Sequence, residues 1–318
     1  IRSFQPSISE RYHECLPQYS IGVDLGGTNL RAAAVDRDGK MLAKVVHPTP
    51  LDSSEHIVDD IAKSILEVRA QMGPDGLVGT GVAVPGFIDM NEGVVIGWSK
   101  LPGMNRFPMK AEVERHIGST VILENDANAA ALGEKWIGAG KDVDDLVLIT
   151  LGTGVGGGII VKGRALHGFV GMAAEIGHIT IEPDGAPCGC GNNGCLEMIS
   201  SATSMARAAR EAGLGEEITS RGVFELAESG DRRAVAVFER AGWALGIALA
   251  SLGNIFNFPL YLISGGPLPA WKYFAPTMLA EARRRSFTLR NTASRIEPAA
   301  LGNEAGLYGS ALLPFHTS

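Results

Sequence analysis

Residues 19–36, YSIGVDLGGTNLRAAAVD, and residues 145–161, DLVLITLGTGVGGGIIV, follow the same plan. In each stretch an apolar strand runs into a glycine turn, and a second apolar strand follows the turn. The backbone N–H groups of such a turn can bind phosphate oxygens. The repeat therefore predicts an α/β protein with two similar halves, each of which directs one phosphate-binding turn towards a shared nucleotide.

The first turn carries polar side chains that suit a nucleotide with its metal ion. Asp24 lies at the end of the first strand, and Gly26, Gly27, Thr28 and Asn29 follow it. The Thr28 hydroxyl can bind a phosphate oxygen, and the Asp24 carboxylate can hold Mg²⁺ directly or through water. No Gly-Lys-Ser/Thr follows, so the turn is not a Walker loop, and a plain hairpin turn explains the same residues.

The second half repeats this turn and adds another glycine pair. Strands are predicted over residues 145–151 and 159–161, with a glycine turn between them. A further apolar strand, residues 260–264, also ends in glycines. The turn residues of this half that can approach a nucleotide are Gly152, Thr153 and Gly154, while a simple turn explains Gly265 and Gly266.

A short strand predicted over residues 121–124 runs directly into Asn125 and Asp126. An alanine-rich helix is predicted to follow over residues 127–137, with Asp126 as its N-cap. A cap is sufficient to explain an aspartate at this position. The helix amides also keep such a carboxylate fixed and ionised, so the same residue can accept a proton.

Helical spacing predicts helices in both halves. Asp52 and Glu55 form a capping box before a stripe of isoleucines, which predicts a helix capped by Asp52 that ends near Gly73. A further helix is predicted over residues 198–212.

Residues 174–197, AEIGHITIEPDGAPCGCGNNGCLE, place three cysteines close together on a glycine-rich loop. Cys188, Cys190 and Cys195, with His178 upstream, offer three thiolates and one imidazole to a tetrahedral ion. Four protein ligands leave no open position, so the prediction is structural Zn²⁺ and not a hydrolytic metal. Buried or oxidised cysteines beside an unrelated histidine are the alternative.

Two glutamates, Glu175 and Glu197, flank the cysteines. A loop made rigid by zinc would present both carboxylates and His178 to one side, where they suit a polyhydroxylated ligand. Solvated surface charges are the alternative explanation. Gly86, which follows a strand predicted over residues 77–84, either lets the backbone approach a ligand or simply ends the strand.

Composition limits the classes of function. The chain has 318 residues, enough for two domains, and its net charge of -7 argues against general binding of nucleic acid. Residues 1–18 contain no apolar segment, so no signal peptide is expected, and the clustered thiols favour the cytosol. Residues 241–271 carry no charge, but their asparagines and proline predict a buried helix and strand and not a membrane span.

The cysteine motif, preceded by Glu175-x-Gly177-His178 and followed by Glu197, resembles the signature of the ROK family (repressors, open reading frames and sugar kinases). The other motifs extend the resemblance over residues 19–313, and within the family it is strongest to bacterial glucokinases. It implies ATP-dependent phosphorylation of a hexose, with glucose expected, at the 6-hydroxyl. It also implies the actin-like, hexokinase-like ATPase fold, in which two α/β domains enclose a cleft.

The resemblance assigns roles to individual residues. Asp126 would be the catalytic base. The sugar would be bound by Gly86, Asn125, Asp126, Glu175, His178 and Glu197. ATP and Mg²⁺ would be bound by Asp24, Gly26, Gly27, Thr28, Asn29, Gly152, Thr153, Gly154, Gly265 and Gly266. The structural Zn²⁺ would be bound by His178, Cys188, Cys190 and Cys195.

A domain plan follows from the same resemblance. Residues 1–18 would form an extension, and residues 19–124 a smaller α/β domain joined by the terminal helix 303–313. Residues 125–302 would form a larger domain with the zinc loop. A cytoplasmic homodimer is expected, with sugar and ATP as its small-molecule partners and with no nucleic-acid or membrane partner.

Two alternatives remain open. N-acetylmannosamine, N-acetylglucosamine or another hexose could be the substrate, because Lys100-Leu101-Pro102-Gly103-Met104 departs from the family pattern. A sugar-responsive transcriptional regulator would share the fold and the zinc loop. Such regulators carry a winged helix-turn-helix before the first domain, and only a short segment precedes Asp24 here, so the chain is expected to lack one.

Overall fold

The first half is built on a five-stranded sheet with the strand order β3-β2-β1-β4-β7. A computed structural model describes residues 18–73, 75–98 and 103–317, so the predictions for residues 1–17 and for the motif at residues 100–102 lie outside the described residues. The elements of this half are β1 (Tyr19–Leu25), β2 (Asn29–Asp36), β3 (Met41–Pro48), α1 (Ser54–Met72), β4 (Leu77–Val84), β5 (Phe87–Asp89), β6 (Val94–Gly97), α2 (Met109–Ile117) and β7 (Val121–Asn125).

β1 is the centre of this sheet, and all of its residues are buried. β2 pairs with it antiparallel, as the hairpin prediction requires, while β4 pairs parallel to β1 and β7 parallel to β4. The carboxyl ends of these three parallel strands meet at one edge of the sheet. Asp24, Gly86 and Asn125 are therefore close to the same edge.

α1 begins one residue later than the capping box predicts. Its N-cap is Ser53, whose side chain accepts a hydrogen bond from the His56 N–H at 3.1 Å. Asp52 instead contacts the His56 ring at 3.0 Å, so the prediction of an Asp52 cap was wrong. The predicted end is confirmed, since the helix stops at Gly73, which has a φ of 81°.

The second half has a matching five-stranded sheet with the order β10-β9-β8-β11-β12. Its inner strands are apolar and buried on both faces, as expected where helices cover both sides. Its elements are α3 (Asp126–Trp136), β8 (Leu146–Leu151), β9 (Val155–Val161), β10 (Arg164–Ala165), α4 (Glu197–Ser200), α5 (Ala202–Glu211), α6 (Ser220–Glu228), α7 (Arg232–Phe256), β11 (Leu260–Gly265), α8 (Trp271–Arg285), α9 (Phe287–Asn291), β12 (Arg295–Pro298) and α10 (Ala305–Thr317).

Two predictions for this half were wrong in detail. The glycine turn is shorter than predicted, because Gly157 and Gly158 lie within β9. A Cβ added at either glycine would lie 2.6 Å from a neighbouring carbonyl oxygen, so these residues allow close packing and not a turn. The helix predicted over residues 198–212 is broken at Ser201, whose extended backbone ends α4 and caps α5.

α3 and α10 form a pair of helices between the two sheets. Glycines permit their close approach: a Cβ added at Gly309 would lie 1.6 Å from the Ala129 carbonyl oxygen, and one at Gly133 would lie 2.2 Å from that of Ala305. The terminal helix begins after a short 3₁₀ turn and extends beyond the predicted residues 303–313.

α10 also packs closely on the first sheet. A Cβ added at Gly81 of β4 would lie 2.0 Å from the Ser310 carbonyl oxygen, and one at Gly22 of β1 would lie 2.4 Å from that of Leu307. α10 therefore covers one face of the first sheet.

Among the described residues one helix, α7, is long enough and apolar enough to cross a membrane, judged by length and composition alone. Most of its apolar stretch is buried inside the protein, where Phe238, Leu245 and Leu249 are fully buried. α7 and β11 are the buried helix and strand predicted for the charge-free residues 241–271.

Candidate active site

A cleft between the two sheets brings most of the predicted site residues together. Its cavity has a volume of about 840 Å³. The predicted residues that line it are Gly26, Gly27, Gly86, Asn125, Asp126, Gly152, Thr153, Gly154, Glu175, His178, Cys190, Glu197, Gly265 and Gly266. The predicted residues that are not among the described residues lining the cavity are Asp24, Thr28, Asn29, Cys188 and Cys195.

The junction of β7 and α3 fixes Asp126 at the edge of the cleft. Asn125, and not Asp126, caps α3, because the Asn125 side-chain oxygen accepts from the N–H groups of Ala127 at 2.9 Å and Asn128 at 3.2 Å. Its amide nitrogen donates to the Gly86 carbonyl oxygen at 3.2 Å. The prediction of an Asp126 cap was therefore wrong by one residue.

Asp126 is the first residue of α3 and its Oδ1 accepts from the Ala127 N–H at 2.8 Å. Burial, together with the negative charges of Asp24 and Glu175, raises the pKa of Asp126 to about 7, and the Ala127 hydrogen bond opposes this rise. A carboxylate with a pKa near neutrality is suited to accept a proton in a reaction at physiological pH.

Asp24 is a second carboxylate at this edge, and only 9% of its surface is exposed. Burial raises its pKa to about 6, while the Arg31 guanidinium, 3.2 Å from its Oδ2, opposes the rise. The Glu304 charge adds to the rise. Asp24 and Asp126 thus form a pair of acidic groups whose repulsion favours a cation or a proton between them.

His178, Cys188, Cys190 and Cys195 form the predicted cluster, with their ligand atoms all within 4.8 Å of one another. A tetrahedral Zn²⁺ with bonds of about 2.3 Å to sulfur and about 2.05 Å to nitrogen requires S···S edges of about 3.8 Å and N···S edges of about 3.6 Å. The Sγ atoms of Cys190 and Cys195 are 3.7 Å apart, and His178 Nδ1 is 3.5 Å from the Cys188 Sγ. The donor set and these two edges fit the ion.

The other ring nitrogen of His178 faces the cleft. Its Nε2 is 3.8 Å from Glu175 Oε2, which is close but longer than a hydrogen bond. Burial raises the pKa of Glu175, His178 opposes this rise, and the Glu197 charge adds to it. His178 therefore connects the metal cluster to a carboxylate of the cleft.

Glu197 connects the same loop to the second glycine turn. Its Oε2 accepts from the Val155 N–H at 3.1 Å, and its Oε1 is 3.7 Å from the Cys188 Sγ. A Cβ added at Gly154 would lie 2.1 Å from the Glu197 Oε2, so a larger residue here would displace this carboxylate from the Val155 N–H.

Several residues of the cleft carry no motif that sequence reasoning could use. The additional lining side chains include Phe87, Trp98, Met172, Thr203, Arg207 and Arg210. The last three recur at helical spacing on α5, but the predicted unbroken helix over residues 198–212 did not indicate which face points to the cleft.

Sequence reasoning also missed an ion pair behind Asp126. Glu124 of β7 is 1% exposed, and its Oε2 lies 2.7 Å from the Nε2 of His167. The hydrogen bond to Glu124 raises the pKa of His167. A glutamate at the end of an apolar strand gives no signal of such a partner.

Comparisons with known proteins agree with the geometry. The ROK family matches residues 20–316. A glucokinase of Halalkalibacterium halodurans is 37% identical over 323 aligned positions, which cover 93% of this chain and 94% of the relative.

Two solved structures extend the agreement to three dimensions. A ROK hexokinase from Thermus thermophilus has a TM-score of 0.84 and 35% identity, with 94% of this chain and 99% of that chain covered. A ROK family glucokinase from Streptomyces griseus, in complex with glucose and AMPPNP, has a TM-score of 0.78 and 34% identity, with 93% and 98% covered. The predicted resemblance and the predicted fold class, two α/β domains of the actin-like type around a cleft, are confirmed.

Proposed function

The chain belongs to the ROK family, and we propose that it phosphorylates glucose at the 6-hydroxyl with MgATP as the donor. It is an ATP-dependent sugar kinase, in agreement with its glucokinase relatives. The observation that carries the proposal is a carboxylate with a pKa near 7, Asp126, in a cleft that both glycine turns line.

Asp126 acts as the general base. A sugar hydroxyl is a poor nucleophile, and a fixed carboxylate within hydrogen-bond reach increases its reactivity by about 10²–10⁴-fold. The proton of the 6-hydroxyl moves to Asp126 as the oxygen attacks the γ-phosphorus of ATP and the bond to ADP breaks. The high pKa of Asp126 makes this transfer favourable near neutrality.

The sugar hydroxyls bind to Asn125, Glu175, His178 and Glu197, with the Gly86 backbone alongside. The Asn125 amide is held by Gly86 and by the start of α3, so it reaches the sugar from a fixed position. Glu175 and Glu197 are acceptors for hydroxyl donors, while the His178 Nε2 faces Glu175. This donor and acceptor set suits a hexose with several free hydroxyls.

The nucleotide binds along both glycine turns. Phosphoryl transfer requires mainly positioning and neutralisation of charge. The N–H groups of the two turns, Thr28 and Thr153 contact the phosphates, with Asn29 beside the first turn and Gly265-Gly266 against the adenosine. Mg²⁺ would neutralise the phosphates, and Asp24 would hold it directly or through water.

A structural Zn²⁺ held by His178, Cys188, Cys190 and Cys195 stabilises the loop that carries these sugar contacts. The support is the spacing of the ligand atoms and the soft donor set. With four protein ligands the ion would take no part in the reaction itself, and its role is to fix the His178 ring.

The remaining features of the proposal concern organisation. Residues 19–124 with α10 form one domain and residues 125–302 the other, and closure of the two would exclude water from the cleft. The protein is proposed to act as a cytoplasmic homodimer that binds neither nucleic acid nor membranes. The regulator alternative is less supported, since the similar proteins described above are sugar kinases by name.

The test is ADP release from MgATP by the purified, zinc-replete chain. The panel contains glucose, mannose, fructose, allose, N-acetylglucosamine, N-acetylmannosamine and no sugar. The proposal expects rapid release with glucose. Release with another sugar alone would keep the mechanism but contradict the substrate, and no release with any sugar would contradict the kinase.

A further inference from the structure

Glu124 is a buried carboxylate directly before the catalytic junction. Its Oε1 accepts from the Asn125 N–H at 2.8 Å and from the Asn128 side-chain amide at 3.1 Å. Its Oε2 is 2.7 Å from the His167 Nε2. Glu124 therefore binds both sides of Asp126, the residue before it and the first turn of α3 after it.

His167 belongs to the other half of the molecule. It follows β10 and lies near the start of the segment 166–174, which leads to Glu175. The Ala173 N–H donates to the His167 carbonyl oxygen at 3.1 Å, so the two ends of this segment are tied together. A second contact crosses to the first half, since the Met90 N–H donates to the Val170 carbonyl oxygen at 3.1 Å.

The far end of the segment is a tight, strained turn. Ala174 has a φ of 68°, a region that L-residues with a side chain seldom occupy. The Ile176 N–H donates to the Ala174 carbonyl oxygen at 2.7 Å, which closes a three-residue turn around Glu175. A backbone held in this way transmits a displacement of the segment to Glu175 and His178.

We propose that His167 is a positioning residue for the phosphoryl transfer, which through Glu124 fixes the catalytic base relative to the loop that carries Glu175 and His178. The inference rests on the proposed function. A buried carboxylate without a cationic partner is costly, so the pair holds only when the two halves have the correct relative position. Among the described residues, Glu124 is the one ionisable group that shifts the pKa of His167.

Three substitutions of His167 separate charge from shape. His167→Ala removes the partner of Glu124, His167→Gln keeps a neutral donor, and His167→Arg keeps a permanent cation. His56→Gln is the matched control, because His56 makes a comparable 3.0 Å contact with Asp52 but is exposed on α1, outside the cleft.

The kinetic readout is kcat with the sugar that the wild-type protein accepts, beside KM for sugar and ATP. Loss of a charged partner from a buried carboxylate predicts a fall in kcat of about 10- to 100-fold for His167→Ala, with KM for ATP within about two-fold. His167→Arg should restore kcat to within about three-fold of wild type, His167→Gln should be intermediate, and His56→Gln should match wild type. A His167→Ala enzyme with wild-type kcat, or no rescue by arginine, would overturn the inference.

Hydrogen exchange at the Met90 amide gives a readout that does not depend on catalysis. This amide reports the contact with Val170, so its exchange should be faster in His167→Ala and normal in His167→Arg. Unchanged exchange in His167→Ala would contradict the positioning role. If the wild-type protein phosphorylates no sugar, the proposed function fails, while the exchange data still decide whether His167 holds the two halves together.

Discussion

The two glycine turns share a sequence plan but are held in place by different interactions. Thr49 holds the first turn, since its N–H donates to the Thr28 carbonyl oxygen at 2.9 Å and its hydroxyl to that of Gly26 at 2.6 Å. The second turn is also bound on both sides: the Val155 N–H donates to Glu197, and the Ala202 N–H donates to the Gly152 carbonyl oxygen at 2.8 Å. The carboxylates beside the two turns differ: Asp24 pairs with Arg31 of its own hairpin at 3.2 Å, whereas Glu197 belongs to the cysteine loop.

This difference means that the two turns should respond to different perturbations. Under the proposed function, changes of pH and of Mg²⁺ should act on the first turn, because the pKa of Asp24 is raised to about 6. Loss of the proposed zinc should act on the second turn, because Glu197 also lies 3.7 Å from the Cys188 Sγ. The following tests are arranged from the largest expected effect to the smallest.

Replacement of Asp126, the proposed general base, should remove almost all turnover without disturbing either turn. Asp126→Asn keeps the shape and an acceptor for the Ala127 N–H, so it should fold and bind sugar while kcat falls by about 10²–10⁴-fold. Steady-state kinetics would measure kcat. Titration with sugar, followed by the fluorescence of Trp98, would measure sugar binding. Asp144→Asn, an exposed change outside the cleft, is the control, and near-normal kcat in Asp126→Asn would exclude this residue as the base.

Loss of the metal should act through the second turn. Cys190→Ser removes one ligand of the cluster, and we expect loss of bound zinc and a rise in KM for sugar of about 10- to 100-fold. Elemental analysis and kinetics would test this. Unchanged zinc content together with unchanged KM would show that the loop does not depend on the ion.

A methyl group should be tolerated less well in the second turn than in the first. The Cβ of Gly154→Ala would lie 2.1 Å from the Glu197 Oε2, and moving that carboxylate would break its hydrogen bond to the Val155 N–H. The nearest atom to the Cβ of Gly26→Ala, the Asn29 carbonyl oxygen, is 2.9 Å away, so a small backbone shift relieves the contact. We expect kcat/KM to fall by about 10-fold or more for Gly154→Ala and by less for Gly26→Ala. Equal losses would mean that Glu197 does not fix the second turn.

The smallest effect is a shift in pH dependence at the first turn. Arg31 lowers the pKa of Asp24, so Arg31→Met should raise it above about 6 and leave more of the carboxyl protonated at pH 6.5. Half-saturation by Mg²⁺ should then require about 3- to 10-fold more metal at pH 6.5 and approach the wild-type value at pH 8. A defect of the same size at both pH values would instead indicate a structural role for Arg31.

Local patterns in the sequence predicted much of the architecture. β1 and β4 occupy the predicted residues, because alternating or continuous apolar residues between glycines leave few alternatives. The domain plan, in which the chain end joins the first half, stays a prediction, and the packing of α10 on the first sheet supports it. The exact starts of α1 and α3 were each wrong by one residue, because either of two adjacent polar residues could act as the cap.

The parts of the candidate site whose reactive residues lie close together in the sequence could be predicted. The parts that depend on packing between distant segments could not. The cysteine cluster is visible from spacing alone. The roles of Gly157 and Gly158 are not, because their need for close packing arises from α3 and the segment before Glu175, which are distant in sequence. The Glu124–His167 pair is equally invisible, since 43 residues separate its members.

The packing of α10 has a consequence for the order in which the protein can fold during synthesis. α10 follows every other element in the sequence, yet its backbone fits against Gly22 and Gly81 of the first sheet too closely for a side chain to intervene. A ribosome releases this sheet long before the helix that covers it. The face of this sheet that α10 covers can therefore be closed only after α10 itself has been synthesised.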